Sequence, residues 1–369
     1  MFRNEGDDMC WFVGNTPYYS KLLAIDASKQ SGEQIKFWFY DKWLSESFAT
    51  DYTKVLKWED VLFDRAMEIR EKWPRVRLWY SGGRDSHLAF KTFVKHNILI
   101  DELVIIDFHF RYAEYPYMYN YLIKEKSLGN LENIKKITTQ KFDVQAQIDI
   151  FGKKWYLEDE NTVFSALPPI SRFVNYFYDA DKNWCNITGA EKPRVMCHDG
   201  RMYACMNDGT PQTLIGIWNH EPFYISPTVP IFQYQTWALV NYILTTPELK
   251  KYSDHELNMG LNTIPNNPWD LNSLYYHGCK GALRTDFADF ALGLPLGKAF
   301  QQEYATKIGL VRYQEFEDAW ERHYPEINKA FRHGMISLDV NYEPYHQNNN
   351  VNLQPLKVHS KRHFLKDRI

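Results

Sequence analysis

"VRLWYSGGRDSHLAF", residues 76–90, decides the fold. An apolar run ends at Tyr80, two glycines stand at 82 and 83, and helical spacing begins near Asp85 or Ser86. This is the pattern of a buried strand that turns tightly into a helix. Glycine lets the backbone turn sharply and approach a ligand with no side chain in between. The following helix offers unpaired N–H groups and the positive end of its dipole. Ser81 and Ser86 add hydroxyl donors, so residues 81–86 are predicted to cradle a pyrophosphate. A plain connection capped by Ser86 or Asp85 would need neither the paired glycines nor the serines that bracket them.

Working outward, β-like and helix-like stretches alternate. "WEDVLFDRAMEIREKW" (58–73), acidic at its front and amphipathic, predicts a helix leading into the first core strand. "ELVIIDF" (102–108) reads as a strand, and "YPYMYNYLIKEKSLGN" (115–130) as a helix closed by Gly129 and Asn130. "IKKITTQ" (134–140) and "NWCNITG" (183–189) are further strands; "DVQAQIDIFGKKW" (143–155) and the stretch after Pro169 are helical. Such alternation predicts an α/β fold with a parallel sheet and helices on both faces. Ligands in such sheets bind outside the carboxyl ends of the strands. Beyond about residue 200 the pattern changes. "DGRMYACMNDG" (199–209) resembles a hairpin between turn signals, "FQYQTWALVNYIL" (232–244) opens a mostly helical part, and "TIPNNPWD" (263–270) is a loop. The expected segments are an aromatic-rich 1–60, a nucleotide-binding domain over 61–225, and a mostly helical 226–369 ending in the basic tail "KVHSKRHFLKDRI". That tail would close over phosphates, touch RNA, or stand as a solvated end.

Hydrophobic residues are 44 % of the 369 and aromatics 16 %, enough for sizeable cores and too many aromatics for long disordered tracts. The net charge of −3 excludes a general polycation, so any nucleic-acid contact needs a local patch. No apolar run reaches membrane-spanning length, and "MFRNEGDDMCWF" lacks the basic and apolar regions of a signal peptide. Five cysteines without close C-x-x-C pairs fit free thiols, so a cytoplasmic location and no membrane partner are expected. The glycosylation-like triplet Asn186-Ile187-Thr188 falls inside a strand and is read as chance.

The stretch S-G-G-R-D-S (81–86) resembles the signature of the PP-loop ATP pyrophosphatases, which include asparagine synthetase, GMP synthetase, argininosuccinate synthetase and phosphoadenosine phosphosulfate (PAPS) reductase. It is not a Walker A loop, because G-x-x-x-x-G-K-[ST] is absent. The resemblance implies an adenine nucleotide alpha-hydrolase-like (HUP, Rossmann-like) three-layer domain. It also implies ATP as cofactor, its terminal phosphates gripped by the loop while a substrate oxygen attacks the α-phosphorus. Ser81, Gly82, Gly83, Asp85 and Ser86 match, with Arg84 in the variable position. A carboxylate beside phosphates needs a divalent cation between them, so Asp85 is assigned both a catalytic role and Mg²⁺. Asp107, closing "LVIID", is expected to face ribose or metal. In "ITGAEKPR", Gly189 and Glu191 are expected near the nucleotide, and Lys192 and Arg194 are catalytic candidates that would stabilise leaving pyrophosphate. This element is loosely similar both to a motif of asparagine synthetases and to one of PAPS reductases.

For the reaction, the favoured expectation is an AMP-forming enzyme that adenylates a carboxylate, carbonyl or nucleobase oxygen for attack by an amine or ammonia. Phe2 follows Met1 where a glutaminase would need cysteine, so the nitrogen would come from solution or a partner. A region from Glu221 to Leu244 looks similar to asparagine-synthetase-like proteins, with Ser226 facing substrate or acting as a simple cap. The alternatives are a PAPS-reductase-like or sulfur-transferring enzyme, for which the last cysteine, Cys279, stands about 90 residues early, and a nucleotide-binding or structural protein without turnover. Expected partners are a small-molecule, nucleoside or tRNA acceptor and an amine, ammonia or sulfur donor; a homo-oligomer is compatible. Compact PP-loop proteins of tailed phages are similar in style, in which case the location would be the host cytoplasm.

Overall fold

A computed structural model describes residues 10–18, 21–40, 44, 47–80, 84–107, 114–141, 181, 183–189, 194–206, 219–245 and 362–367. In chain order the elements are β1 (Cys10–Val13), β2 (Thr16–Tyr18), α1 (Lys21–Ser31), β3 (Ile35–Trp38), α2 (Trp58–Lys72) and β4 (Arg75–Trp79). Then come α3 (Arg84–Lys95), β5 (Ile100–Asp107), α4 (Glu114–Ser127), β6 (Ile134–Lys141), β7 (Trp184–Thr188) and β8 (Arg194–His198). β9 (Arg201–Cys205), β10 (His220–Pro222), α5 (Ile231–Thr245) and β11 (His363–Asp367) complete them.

The expected parallel sheet is present. Five strands in the order β10-β7-β4-β5-β6 all run parallel, giving an α/β fold. The chain steps outward from β4 through β5 to β6, then returns to the other side of β4 for β7 and β10. The order therefore reverses between β4 and β7.

The two faces of this sheet differ. Val76, Leu78 and Tyr80 of β4, with Leu103 and Ile105 of β5, pack against Val61, Leu62, Ala66 and Ile69 of α2 and Leu88, Phe90 and Phe93 of α3. On the other face the register aligns Lys136, Glu102, Arg77, Asn186 and His220, one residue from each strand. Arg77 Nε donates to Glu102 at 2.7 Å, Thr138 donates to the other Glu102 oxygen at 2.6 Å, and the Arg77 guanidinium lies 4.4 Å from the Trp184 ring centroid. Burial alone would raise the Glu102 pKa, but Thr138 and Arg77 outweigh it and hold the carboxyl below its ordinary range. These pairings explain why β5 starts two residues before the expected "ELVIIDF". Asp101 and Glu102 are buried acids that would break a strand if unpaired; Asp101 accepts from Arg70 and Lys135, each at 2.6 Å, and from the Val76 N–H at 2.9 Å.

α2 carries acids in its first turn (Glu59, Asp60) and bases in its last (Arg70, Lys72), matching the helix dipole. Its Arg65 is fully enclosed. The guanidinium donates to Glu68 (2.6 Å), Glu221 (3.0 Å) and the carbonyls of Pro222 (2.9 Å) and Phe223 (3.1 Å). Lys72 also pairs with Glu221. One buried cation thus ties α2 to β10, the strand of the five-stranded sheet most distant from it in sequence, and burial's upward push on Glu221 is overcome by Arg65 and Lys72.

A second core lies apart from the first. β1 pairs antiparallel with both β2 and β3, and β9 pairs antiparallel with both β8 and β11. Trp11, Val13, Phe37 and Phe39 from the N-terminal sheet meet Val195, Cys197, Met202, Ala204 and Leu365 from the other. α5 serves both cores: Tyr234 and Ala238 join the first, while Phe232, Trp237, Val240 and Ile243 join the second. This double duty is why its sequence is apolar all round. The second core draws residues from each of the three expected segments.

The hairpin expected over 199–209 is shifted. Asp199-Gly200 is the turn itself, both φ values being positive (49° and 68°) as a two-residue hairpin loop requires, and "RMYAC" is its returning strand. The basic tail contributes β11 to this sheet in place of a free end. The helical stretches expected within 143–180 and after 245, with Cys279, lie outside the described residues. Cys10, Cys185, Cys197 and Cys205 are buried, and Asn186, wholly buried in β7, is shut off from glycosylation. Among the described residues no helix is long and apolar enough to cross a membrane.

Removing one partner of the Arg65 cluster strands a buried charge, so Arg65→Met is expected to lower stability by about 3–5 kcal/mol in urea unfolding. Adding Glu221→Gln to Arg65→Met should recover part of that loss; a strictly additive double variant would show that the two groups are not coupled.

Candidate functional site

In open parallel sheets the ligand crevice lies outside the carboxyl ends of the strands where their order reverses. Here that point is fixed by register: Trp79 of β4 sits opposite Thr188 of β7. Tyr80 extends the β4 ladder by one residue, its N–H donating to the Val104 carbonyl at 2.8 Å, and the chain then enters residues 81–83. On the neighbouring strand β7 ends directly before Gly189, which is buried. The two glycine-containing exits thus stand side by side.

α3 begins at Arg84, a residue or two earlier than expected. Asp85 and Ser86 therefore lie inside its first turn, and neither is the cap that the simpler sequence reading assigned. Arg84, Asp85 and Ser86 are the first residues of the helix, at the positive end of its dipole. Ser86 is buried. Asp107 is the last residue of β5, paired in register with Lys141 and three residues beyond Val104, so it belongs to the same carboxyl edge. Arg194 is the first residue of β8, opposite Cys205, and so belongs to the antiparallel sheet. Ser81, Gly82, Gly83, Glu191 and Lys192 lie outside the described residues. The fold brings together the end of β4, the start of α3 and the ends of β5 and β7.

Ser226 does not face a substrate crevice. It is fully buried, donates to the Glu68 carboxylate (2.8 Å to the nearer oxygen), and accepts the N–H groups of Thr228 (3.1 Å) and Val229 (2.9 Å). It caps the segment that enters α5, the simpler of its two expected roles.

Two polar pairs beside the crevice escaped the sequence reading. Thr188 Oγ1, at the end of β7, and His220 Nε2, at the start of β10, share a hydrogen bond of 2.8 Å. The only signal was a threonine and a histidine in apolar stretches far apart in sequence. Between the end of β4 and the first turn of α3, the Tyr80 hydroxyl and His87 Nδ1 are 2.9 Å apart, both side chains buried. His87 Nε2 is enclosed with no hydrogen-bonding partner among the described residues. Burial, with a smaller push from Lys91, lowers the His87 pKa from 6.5 to about 3. The imidazole is neutral at physiological pH, so it offers the crevice no cation.

Among the described residues no group of three or more His, Cys, Asp or Glu side chains could hold a metal ion. No protein-family model, curated protein or solved structure matches the chain.

His87 generates a pH prediction. Between about 3 and 6.5 the unfolded chain carries a proton on this residue that the folded chain does not. Stability contributed by the neutral ring is present above 6.5 and falls as pH drops through that window. From pH 7 to pH 5 this linkage amounts to about 2 kcal/mol. Urea unfolding of His87→Gln should show a correspondingly smaller loss over that interval; an equal loss would contradict a buried neutral histidine.

Proposed function

We propose that the chain is an ATP-dependent, AMP-forming enzyme of the PP-loop ATP pyrophosphatase type, with a HUP-like three-layer domain. Ser81, Gly82, Gly83, Arg84, Asp85 and Ser86 would hold the terminal phosphates of ATP. The observation that carries the reading is the place of residues 81–83: they join the central strand β4 to the N-terminus of α3, where the strand order reverses. A glycine turn there lets a pyrophosphate approach helical N–H groups directly, with the dipole favouring negative charge.

Magnesium is compatible with this loop. Mg²⁺ is commonly held by one or two carboxylates together with substrate phosphates, so Asp85 alone is a sufficient protein ligand. Bound there, it would screen the carboxylate from the phosphates and neutralise charge on them. Asp107 and Gly189, on the same edge, would border the nucleoside half, with Glu191 beside them. An acceptor oxygen attacks the α-phosphorus, the bond from that phosphorus to the bridging oxygen breaks, and pyrophosphate leaves. An amine or ammonia then displaces AMP from the adenylated acceptor. Lys192 and Arg194 would stabilise charge on the departing pyrophosphate. The acceptor is a carboxylate, carbonyl or nucleobase oxygen of a small molecule, nucleoside or tRNA. A sulfur donor in place of nitrogen would use the same first step.

Pyrophosphate release from ATP and Mg²⁺, measured across pools of amino acids, nucleosides and tRNA, tests this reading. Ser81→Ala and Asp85→Asn are each expected to reduce release by about 10²-fold or more, as loss of transition-state donors does, with thermal unfolding unchanged. Full activity in both variants would refute the assignment.

A further inference from the structure

The sheet formed by β8, β9 and β11 buries one face, while Arg201 of β9 and Phe364 of β11 reach solvent on the other. Val195, Cys197, Met202, Ala204 and Leu365 point into the second core. On the outer side Tyr203 of β9 lies directly across from Phe364 of β11, their ring centroids 6.0 Å apart and the planes at 67°. Phe364 is 55 % exposed, a large apolar ring left in water, and Tyr203 is half-buried.

Charge surrounds this pair. Arg201, two residues before Tyr203 and on the same side of β9, is exposed and pairs with Asp367 at 3.5 Å. Arg362, directly before the edge strand β11, is exposed, as is Lys366 within it, opposite Met202, and His198, opposite Arg201, is exposed beside Asp199 at the turn. From 357 to 368 the sequence holds Lys357, Lys361, Arg362, Lys366 and Arg368 against one acid, Asp367, although the whole chain is net negative.

We infer that this outer face binds single-stranded nucleic acid, with unpaired bases stacked on Tyr203 and Phe364 and phosphates beside Arg201 and Arg362. Aromatic rings on neighbouring strands of an open sheet, with cations around them, suit unpaired bases, because every base has a face to stack and every link a phosphate. Among the described side chains the exposed apolar surface of this face is these two rings with charge beside them, small for the buried centre of a stable protein interface. The exposed Arg201–Asp367 pair is a weak interaction that a phosphate can replace. The face is also near the proposed nucleotide crevice: β8 starts five residues after Gly189, at most about 18 Å of extended chain.

This inference is independent of the ATP reading, since binding is measured without nucleotide. The probes are fluorescein-labelled 12-mers of uridine and of thymidine and a 12-base-pair duplex, followed by anisotropy at low and moderate salt. The full chain should bind single strands more tightly than duplex, and more weakly as salt rises. Preference between the uridine and thymidine strands tells RNA from DNA, and either supports the inference. Phe364→Ala and Tyr203→Ala should each weaken binding by about fivefold or more, while Phe364→Trp retains it. Arg201→Ala should lower the salt dependence by about one phosphate contact. The inference is overturned if the full chain binds no single strand, or if Phe364→Ala binds as tightly as the unaltered chain. It is also overturned if sedimentation shows that Phe364→Ala dissociates a homodimer, because the face would then be covered by a second copy.

Discussion

All five residues of β4 pair in parallel with all five of β7, and between these strands the chain's course across the sheet reverses. Everything of functional interest depends on that pairing. It sets the exit of β4 toward residues 81–83 beside the exit of β7 at Gly189, two positions more than one hundred residues apart in sequence. Neighbouring crossovers that leave a sheet in opposite directions open a gap at its carboxyl edge. A shift of one residue in the β4–β7 register would turn Arg77 and Trp79 toward the α2–α3 face and Val76 and Leu78 away from it.

Buried charge guards that register. Arg77 and Glu102 bridge β4 and β5, Thr138 extends the bridge to β6, and the Trp79 indole donates to Asn186 of β7 at 3.0 Å. On the helical side Arg65 joins α2 to β10 through Glu221 and two carbonyls. Each contact spans elements that apolar packing alone could hold in several alignments, because Val, Leu and Ile side chains tolerate sliding better than a charge tolerates losing its partner. Polar groups therefore specify which strands neighbour one another, while the apolar face contributes the bulk of the burial.

The alternation of strand and helix was legible because local spacing is strong there: α2, β4, α3, β5, β6, β7 and α5 follow from stretches that repeat at helical or strand periods. The strand order was not legible, since "HEP" at 220–222 is too short to show any period and becomes β10 only by pairing with β7. The start of β5 was misjudged because Asp101 looks like a solvent-facing residue until Arg70 and Lys135 are brought to it from other elements. The Asp199-Gly200 turn was visible as a turn, but not as the centre of the hairpin, because its first strand directly follows the "ITGAEKPR" motif. β11 could not be foreseen: its partner β9 lies some 160 residues earlier. At the site, the strand and the helix that flank residues 81–83 were readable from spacing alone, whereas the Tyr80–His87 and Thr188–His220 pairs exist only in three dimensions.

The central claim is that the gap between the ends of β4 and β7 receives a nucleotide's phosphates. A crystal structure of the chain with Mg²⁺ and a non-hydrolysable ATP analogue addresses it most directly. The account expects the terminal phosphates over the first N–H groups of α3, with the nucleoside running along the carboxyl edge toward β5. Saturating analogue that leaves this gap empty, or lodges elsewhere on the protein, would contradict it.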